Sequence, residues 1–280
     1  MAATPQSSPT VAHDSLCANC TTPMQGKYCH ACGERKVHEH DLTLRHFFLH
    51  AVHEFTHLDS KVFATVRYLF TRPGFLAEEF AAGRRSRYMK PLALFLIASA
   101  LFVLAGSFVL ISAFDVHQLN KADKKGQLDA AWTKLAAKKH VPKEVIIDRV
   151  QDTIHKATTA AQLADVLAMA VMLAILFRGR YFVEHLVFSL HFLSFTYLAS
   201  LLALPLYALR NPGSWQAIVL TVVVTAVYLT YLVIALRRFY RQSVTASVVK
   251  GIIAYALTQA AIIFTVIVAF VLAVIRAAKS

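Results

Sequence analysis

The sequence predicts an all-α polytopic membrane protein of about five transmembrane helices, preceded by a small N-terminal cysteine ribbon and amphipathic juxtamembrane helices. Three observations predict it. The 280 residues are 57% hydrophobic with a mean hydropathy of +0.51, too apolar for an ordinary soluble chain. Nearly all of that excess falls after residue 90, in runs of the ~20 residues that a hydrocarbon core requires. All four cysteines, by contrast, lie in the polar head, between residues 17 and 32.

Residues 1–13 are rich in Ala, Pro, Ser and Thr and have no apolar leader run, so they read as a disordered tail. The ribbon is expected over 14–38. Its spacing, Cys17-x2-Cys20-x8-Cys29-x2-Cys32, sets two C-x-x-C knuckles against each other. That arrangement suits the tetrahedral all-sulfur shell of Zn2+. One structural zinc is the expected cofactor; iron in the same shell and two disulfides are the alternatives. Gly26 and Gly33 offer the backbone freedom that tight knuckles need.

Residues 39–90 are expected to form cytoplasmic amphipathic helices ending in a basic collar. Asp41 is placed to cap a helix over 42–58. On it His46, His50, His53 and His57 share about 60° of arc, opposite Leu44, Phe48, Val52 and Phe55. The string His53-Glu54-Phe55-Thr56-His57 matches H-E-x-x-H, which in zinc hydrolases puts two imidazoles and a general base on one face. Glu78 or Glu79 would supply a third ligand. A histidine-rich stretch also produces that string by chance, and a polar stripe suits a helix on a membrane surface. A second helix is expected over 60–71, with Val62, Phe63, Val66 and Leu69 or Phe70 as its apolar face, stopped by Arg72-Pro73-Gly74. A short third helix over 75–82 leads to Gly83-Arg84-Arg85-Ser86-Arg87-Tyr88, a collar for the headgroup layer.

The transmembrane domain is expected over 91–280, with spans at 91–114, 157–177, 185–209, 215–236 and 251–275 and an external loop at 115–156. Basic residues flank alternate ends: Arg84 to Lys90 before the first span, Arg178 and Arg180 after the second, Arg237, Arg238 and Arg241 after the fourth. The positive-inside rule then puts the N-terminus and ribbon in the cytoplasm and the C-terminus outside. Against this, residues 115–161 carry nine Lys or Arg and six Asp or Glu; their helical apolar pattern predicts a small external hairpin. A reducing cytoplasm leaves thiols free for metal, in accord with the orientation.

Ionisable groups inside a span carry weight. Glu184 and His191 share a face at the start of the third span, with His185 about 100° round the helix. They form either a polar clamp between helices or a metal, proton or substrate site. Asp165 is expected near the outer end of the second span, within reach of water, and Asn211-Pro212-Gly213 makes the turn into the fourth.

The net charge of +13 concentrates beside the spans, where anionic headgroups of a bilayer are the natural partner. Lys27, Arg35 and Lys36 alone flank the ribbon, too few for a nucleic-acid surface. There is no glycine-rich phosphate loop, no serine elbow, and no cysteine outside the ribbon to act as a nucleophile.

Cys17-Ala-Asn-Cys20, Tyr28-Cys29-His-Ala-Cys32-Gly33, His57-Leu-Asp-Ser-Lys61, Thr71-Arg-Pro-Gly74, Arg87-Tyr-Met-Lys-Pro91 and Glu184-His-Leu-Val-Phe-Ser-Leu-His191 together resemble a bacterial family of uncharacterised membrane proteins, domain-of-unknown-function family 3667. The resemblance implies a multi-pass inner-membrane protein with a cytoplasmic zinc ribbon, and implies no activity. The expected role is non-enzymatic: a membrane adaptor or sensor whose ribbon engages a cytoplasmic protein, with oligomers allowed. The alternatives are a metal-dependent membrane hydrolase, using His53, Glu54 and His57 or the Glu184/His191 cluster, and a transporter or channel component.

Overall fold

A computed structural model describes residues 16–24, 26–34, 61–109, 116–117, 120, 123, 125–208 and 215–279. The 1–13 tail, the 42–58 helix with its histidine stripe and H-E-x-x-H string, and the Asn211-Pro212-Gly213 turn lie outside them. Among the described residues the chain is helical, with α1 at Lys61–Thr71, α2 at Phe75–Ala81, α3 at Pro91–Val109, α4 at Gln127–Lys139, α5 at Lys143–Leu176, α6 at Phe182–Ala208, α7 at Trp215–Tyr240 and α8 at Val244–Lys279. The ribbon contributes one isolated antiparallel bridge, Leu16 to Pro23.

By length and composition α6, α7 and α8 are each able to cross a membrane, over Phe182–Leu206, Trp215–Tyr240 and Val244–Ala277. A fourth crossing is available if the two arms of α5, Lys143–Ala157 and Ala161–Leu176, bent by 45°, count as one span. The apolar stretch in α3, Pro91–Ala105, is shorter. Three long apolar helices make this a membrane protein; five spans are not reached on this criterion.

The three long helices hold different positions. More than half of the α6 window is buried (56%), against 17% for α7 and 11% for α8. Thus α6 is the post around which the others stand, while α7 and α8 turn most of their Val, Ile and Leu outward, as lipid-facing helices do. In lipid the association of such helices rests on close packing and hydrogen bonds. The backbone groups are already paired within each helix. Ser189, Ser194 and Thr258 follow the same logic, each donating its hydroxyl to the carbonyl four residues back, at 2.9, 2.6 and 2.8 Å.

The juxtamembrane head belongs to the core of the bundle. Leu69 of α1 and Leu76 and Ala77 of α2 share one hydrophobic cluster with Phe95, Met169, Phe188, Leu232 and Phe239. The face expected for α1 is corrected here: Phe63 is 76% exposed, and Thr65 and Leu69 are the buried positions. Thr65 is buried because it ties two segments together. Its hydroxyl donates to Lys61 O at 2.7 Å and accepts from Met89 N at 2.9 Å. Tyr88, expected at headgroup level, packs edge-on to Tyr68 and Phe75, with ring centroids 5.7 and 5.9 Å away.

At ~1.5 Å per residue, α5 and α8 are each about 50 Å long, well beyond the ~30 Å of a hydrocarbon core. Their far ends are put to use. Trp132 and Ala136 of α4, Ile146, Val150 and Ile154 of α5 and Ala273 of α8 form a second core. The expected hairpin is therefore α4 against the first turns of α5, and it rides on the prolonged ends of two long helices. At the opposite end Lys250 donates to Leu176 O at 3.0 Å, placing a cation on the carbonyl end of α5.

Candidate metal centre and the collar beneath it

The two cysteine knuckles are copies of one backbone turn. In the first, Thr21 N donates to Cys17 O at 2.9 Å and Cys17 N to Thr22 O at 2.9 Å; in the second, Gly33 N donates to Cys29 O at 2.8 Å and Cys29 N to Glu34 O at 2.8 Å. The fifth residue of each copy has a left-handed backbone, φ 63° at Thr21 and 71° at Gly33. Gly33 holds that conformation without strain, whereas Thr21 holds it despite a branched side chain.

This duplication aims the four thiols at one point. Cys17 Sγ and Cys32 Sγ are 3.5 Å apart, as are Cys20 Sγ and Cys29 Sγ, and all four sulfurs lie within 4.8 Å of one another. None is in a disulfide. Cys17 and Cys29 are buried with Met24 in a small core of their own. Thr22 Oγ1 lies 3.3 Å from Cys20 Sγ, and hydrogen bonding from Thr22 lowers the Cys20 pKa from 9.0 to about 6. A thiolate near neutrality is the form that ligates metal. The cluster can hold a metal ion. Among the described residues it is the group of His, Cys, Asp and Glu side chains that can do so.

The ribbon rests on the collar through one carboxylate. Glu34 follows the second knuckle directly and is buried. Its Oε2 accepts from Arg85 N at 3.0 Å, Ser86 N at 3.0 Å and Ser86 Oγ at 2.9 Å. Asn19, inside the first knuckle, donates to the same Ser86 hydroxyl at 3.4 Å. Three donors on one buried oxygen form a charge-assisted clamp, stronger than neutral hydrogen bonds. The sequence reading missed Glu34; the available signal was an acidic residue at the end of a knuckle and a basic run some fifty residues on.

The other expected site residues are placed apart. Glu79, proposed as a third metal ligand, receives Arg84 Nε at 3.0 Å on both carboxylate oxygens and also pairs with Nη2. That pairing raises the Arg84 pKa above its usual value. Glu78 accepts from Arg238 Nε at 2.9 Å. In the third expected span Glu184 pairs with Arg180 at 3.3 Å, and Arg180 also donates to Phe239 O at 2.7 Å. His185 Nδ1 is 2.7 Å from Tyr240 Oη. His191 Nδ1 is 2.9 Å from Val187 O, one turn back on its own helix. Each group is thus held by a different partner, and a third ligand does not join Glu184 and His191. Asp165, expected within reach of water, is buried on α5.

Residues 59–103 match the model of a family described as "Protein of unknown function (DUF3667)". This is the family that the sequence motifs resemble, and the match runs from the start of α1 through most of α3. No curated protein and no solved structure matches the chain.

Proposed function

We propose, from that family match and from the clamp between knuckle and collar, that this chain is a multi-pass membrane protein whose ribbon holds one structural zinc ion and works as an adaptor or sensor at the membrane surface. The observation that carries the reading is Glu34. A buried carboxylate next to a metal knuckle accepts three hydrogen bonds from the turn that leads into α3, so the position of the ribbon is tied to that of the collar.

The sulfur positions fit a tetrahedral all-thiolate shell, for which zinc is the ion we propose. Four sulfurs ~2.3 Å from a central ion are about 3.8 Å from one another, and the observed spacings of 3.5 Å and up to 4.8 Å span that value. The residues of this chain bind and orient the ion, and no exposed coordination position is reserved for substrate when all four are thiolates. The exposed side of the ribbon, including Tyr28, is the surface offered to a cytoplasmic protein. The bacterial inner membrane is what the family resemblance implies, and a cytoplasmic N-terminus with an outside C-terminus is the orientation that the basic flanks favour. Five crossings follow if the bent α5 and the 19-residue α3, about 28 Å long, both span.

The test is metal content per chain, measured on untagged full-length protein in mild detergent beside a Cys17→Ser/Cys20→Ser variant. One zinc in the native chain and none in the variant is the expected result. A second metal that survives the cysteine changes would instead favour a histidine-carboxylate hydrolase. No metal in the native chain would end the zinc reading.

A further inference from the structure

At the collar end of the bundle lies a cleft of about 210 Å³ between the end of α2, the start of α6 and the end of α7, lined by Glu78, Arg180, Glu184, Phe239 and Arg241 among others. Its charged groups are not equivalent. Arg180 is held in place by Glu184 and Phe239 O and lies 4.3 Å over the Phe239 ring. Glu78 is matched by Arg238. Arg241 is the remaining cation: among the described residues its guanidinium has no hydrogen bond or ion pair. Its left-handed backbone, φ 51°, ends α7, and its side chain lines the cleft.

With Arg180 set against Glu184 and Arg238 against Glu78, one positive charge is left over, on Arg241. An anionic group therefore gains there. Carboxylates keep lone pairs after one Arg contact, so Glu78 and Glu184 can still accept N–H donors. The cleft offers one place for a phosphate and, beside it, acceptors for an ammonium. Its depth selects the source. Both α6 and α7 are long enough to cross a membrane, and their ends meet here, where Arg180 lies over the aromatic rings of Phe239 and Tyr240. This is the level of lipid phosphates, where basic pockets between helices hold headgroups.

We propose that this cleft binds the phosphoethanolamine headgroup of a membrane lipid, with the phosphate on Arg241 and the ammonium on the carboxylates of Glu184 and Glu78. A choline headgroup has no N–H to give those carboxylates. A glycerol headgroup brings the phosphate but no cation.

Native mass spectrometry of the full chain, titrated with phosphatidylethanolamine, phosphatidylcholine or phosphatidylglycerol of matched chains, tests it. The ethanolamine lipid is expected to bind about tenfold more tightly than the choline lipid, with the glycerol lipid below it. Arg241→Gln should remove that preference and Arg241→Lys restore part of it. Equal binding of the three lipids, or a preference untouched by Arg241→Gln, overturns the proposal. Tighter binding of the glycerol lipid overturns the ethanolamine assignment. Displacement of bound lipid by free phosphoethanolamine at similar concentration overturns the lipid source in favour of a soluble phosphate ester. If Arg241→Gln fails to fold, the ranking of the three lipids on the native chain decides alone.

Discussion

Gly74 and Ala235 meet backbone to backbone: a Cβ added at Gly74 would lie 2.7 Å from Ala235 O and 3.0 Å from Ala235 Cα. The turn after α1 is pressed onto α7 at this point. Nearby, Tyr231 Oη donates to Leu69 O at 2.8 Å, holding the last turn of α1 to the same helix. Gly74 also has φ 78°, so two separate demands exclude a side chain.

Gly74→Ala is therefore expected to destabilise the bundle twice over. The left-handed backbone costs about 1–2 kcal/mol, and the forced separation from α7 adds about 1–3 kcal/mol. Gly126→Ala is the control, because Gly126 also has a positive φ, 65°, yet nothing lies within 4 Å of its Cβ position. Thermal unfolding in detergent should show a clearly larger loss for Gly74→Ala. Equal losses would mean that the approach to Ala235 carries no weight.

Glu34→Ala should detach the ribbon without emptying it. The three hydrogen bonds to Glu34 Oε2 are of the charged kind, worth about 1.5–3 kcal/mol each when lost singly. Amide exchange at Arg85 and Ser86 is expected to quicken by about tenfold or more, while one metal per chain is retained. Metal loss in the variant would assign Glu34 to ribbon folding instead of docking.

In metal-free protein the Cys20 thiol is expected to alkylate with a pH midpoint near 6, set by Thr22. The sign of the linked stability follows. Between about 6 and 9.0 the folded ribbon binds fewer protons than the unfolded chain, so its stability rises with pH across that window. The contribution is complete above 9.0 and is lost as pH falls through about 6. Thr22→Val should move the alkylation midpoint upward; an unmoved midpoint would separate Cys20 reactivity from the Thr22 hydroxyl.

Tyr240→Phe removes the partner 2.7 Å from His185 Nδ1 and leaves a buried imidazole nitrogen unpaired. The ring packing of residue 240 on Phe177, with centroids 3.9 Å apart, is preserved. A loss of about 1–3 kcal/mol is expected, read as a lower thermal midpoint. A variant as stable as the native chain would show that this hydrogen bond is not needed to join α6 to α7.

Much of the site was readable along the chain because its signals are local. A C-x-x-C knuckle is one turn, and Cys17, Cys20, Cys29 and Cys32 declare themselves by spacing alone. The breaker Arg72-Pro73-Gly74 ended α1 where expected for the same reason, since φ limits act within a residue or two. The two-fold likeness of the knuckles was less visible, because Thr21 occupies the position that Gly33 fills in the second copy. The α1 face was misjudged at Phe63. Periodicity counts apolar residues, whereas burial at Thr65 was decided by a hydrogen bond to Met89, twenty-four residues away.

What the sequence determined by itself was therefore the helical membrane class, the thiol cluster and the stop of α1 at Arg72-Pro73-Gly74. These depend on composition, spacing and backbone sterics over a few residues. The tertiary structure alone decided how the charges are used. Arg84, Arg180 and Arg238 read as basic flanks for headgroups, yet each is engaged inside the molecule, with Glu79, Phe239 O and Glu78 respectively. A charged side chain at a membrane boundary takes whichever counter-group lies within about 3 Å of it. Which group that is depends on how helices distant in sequence are packed.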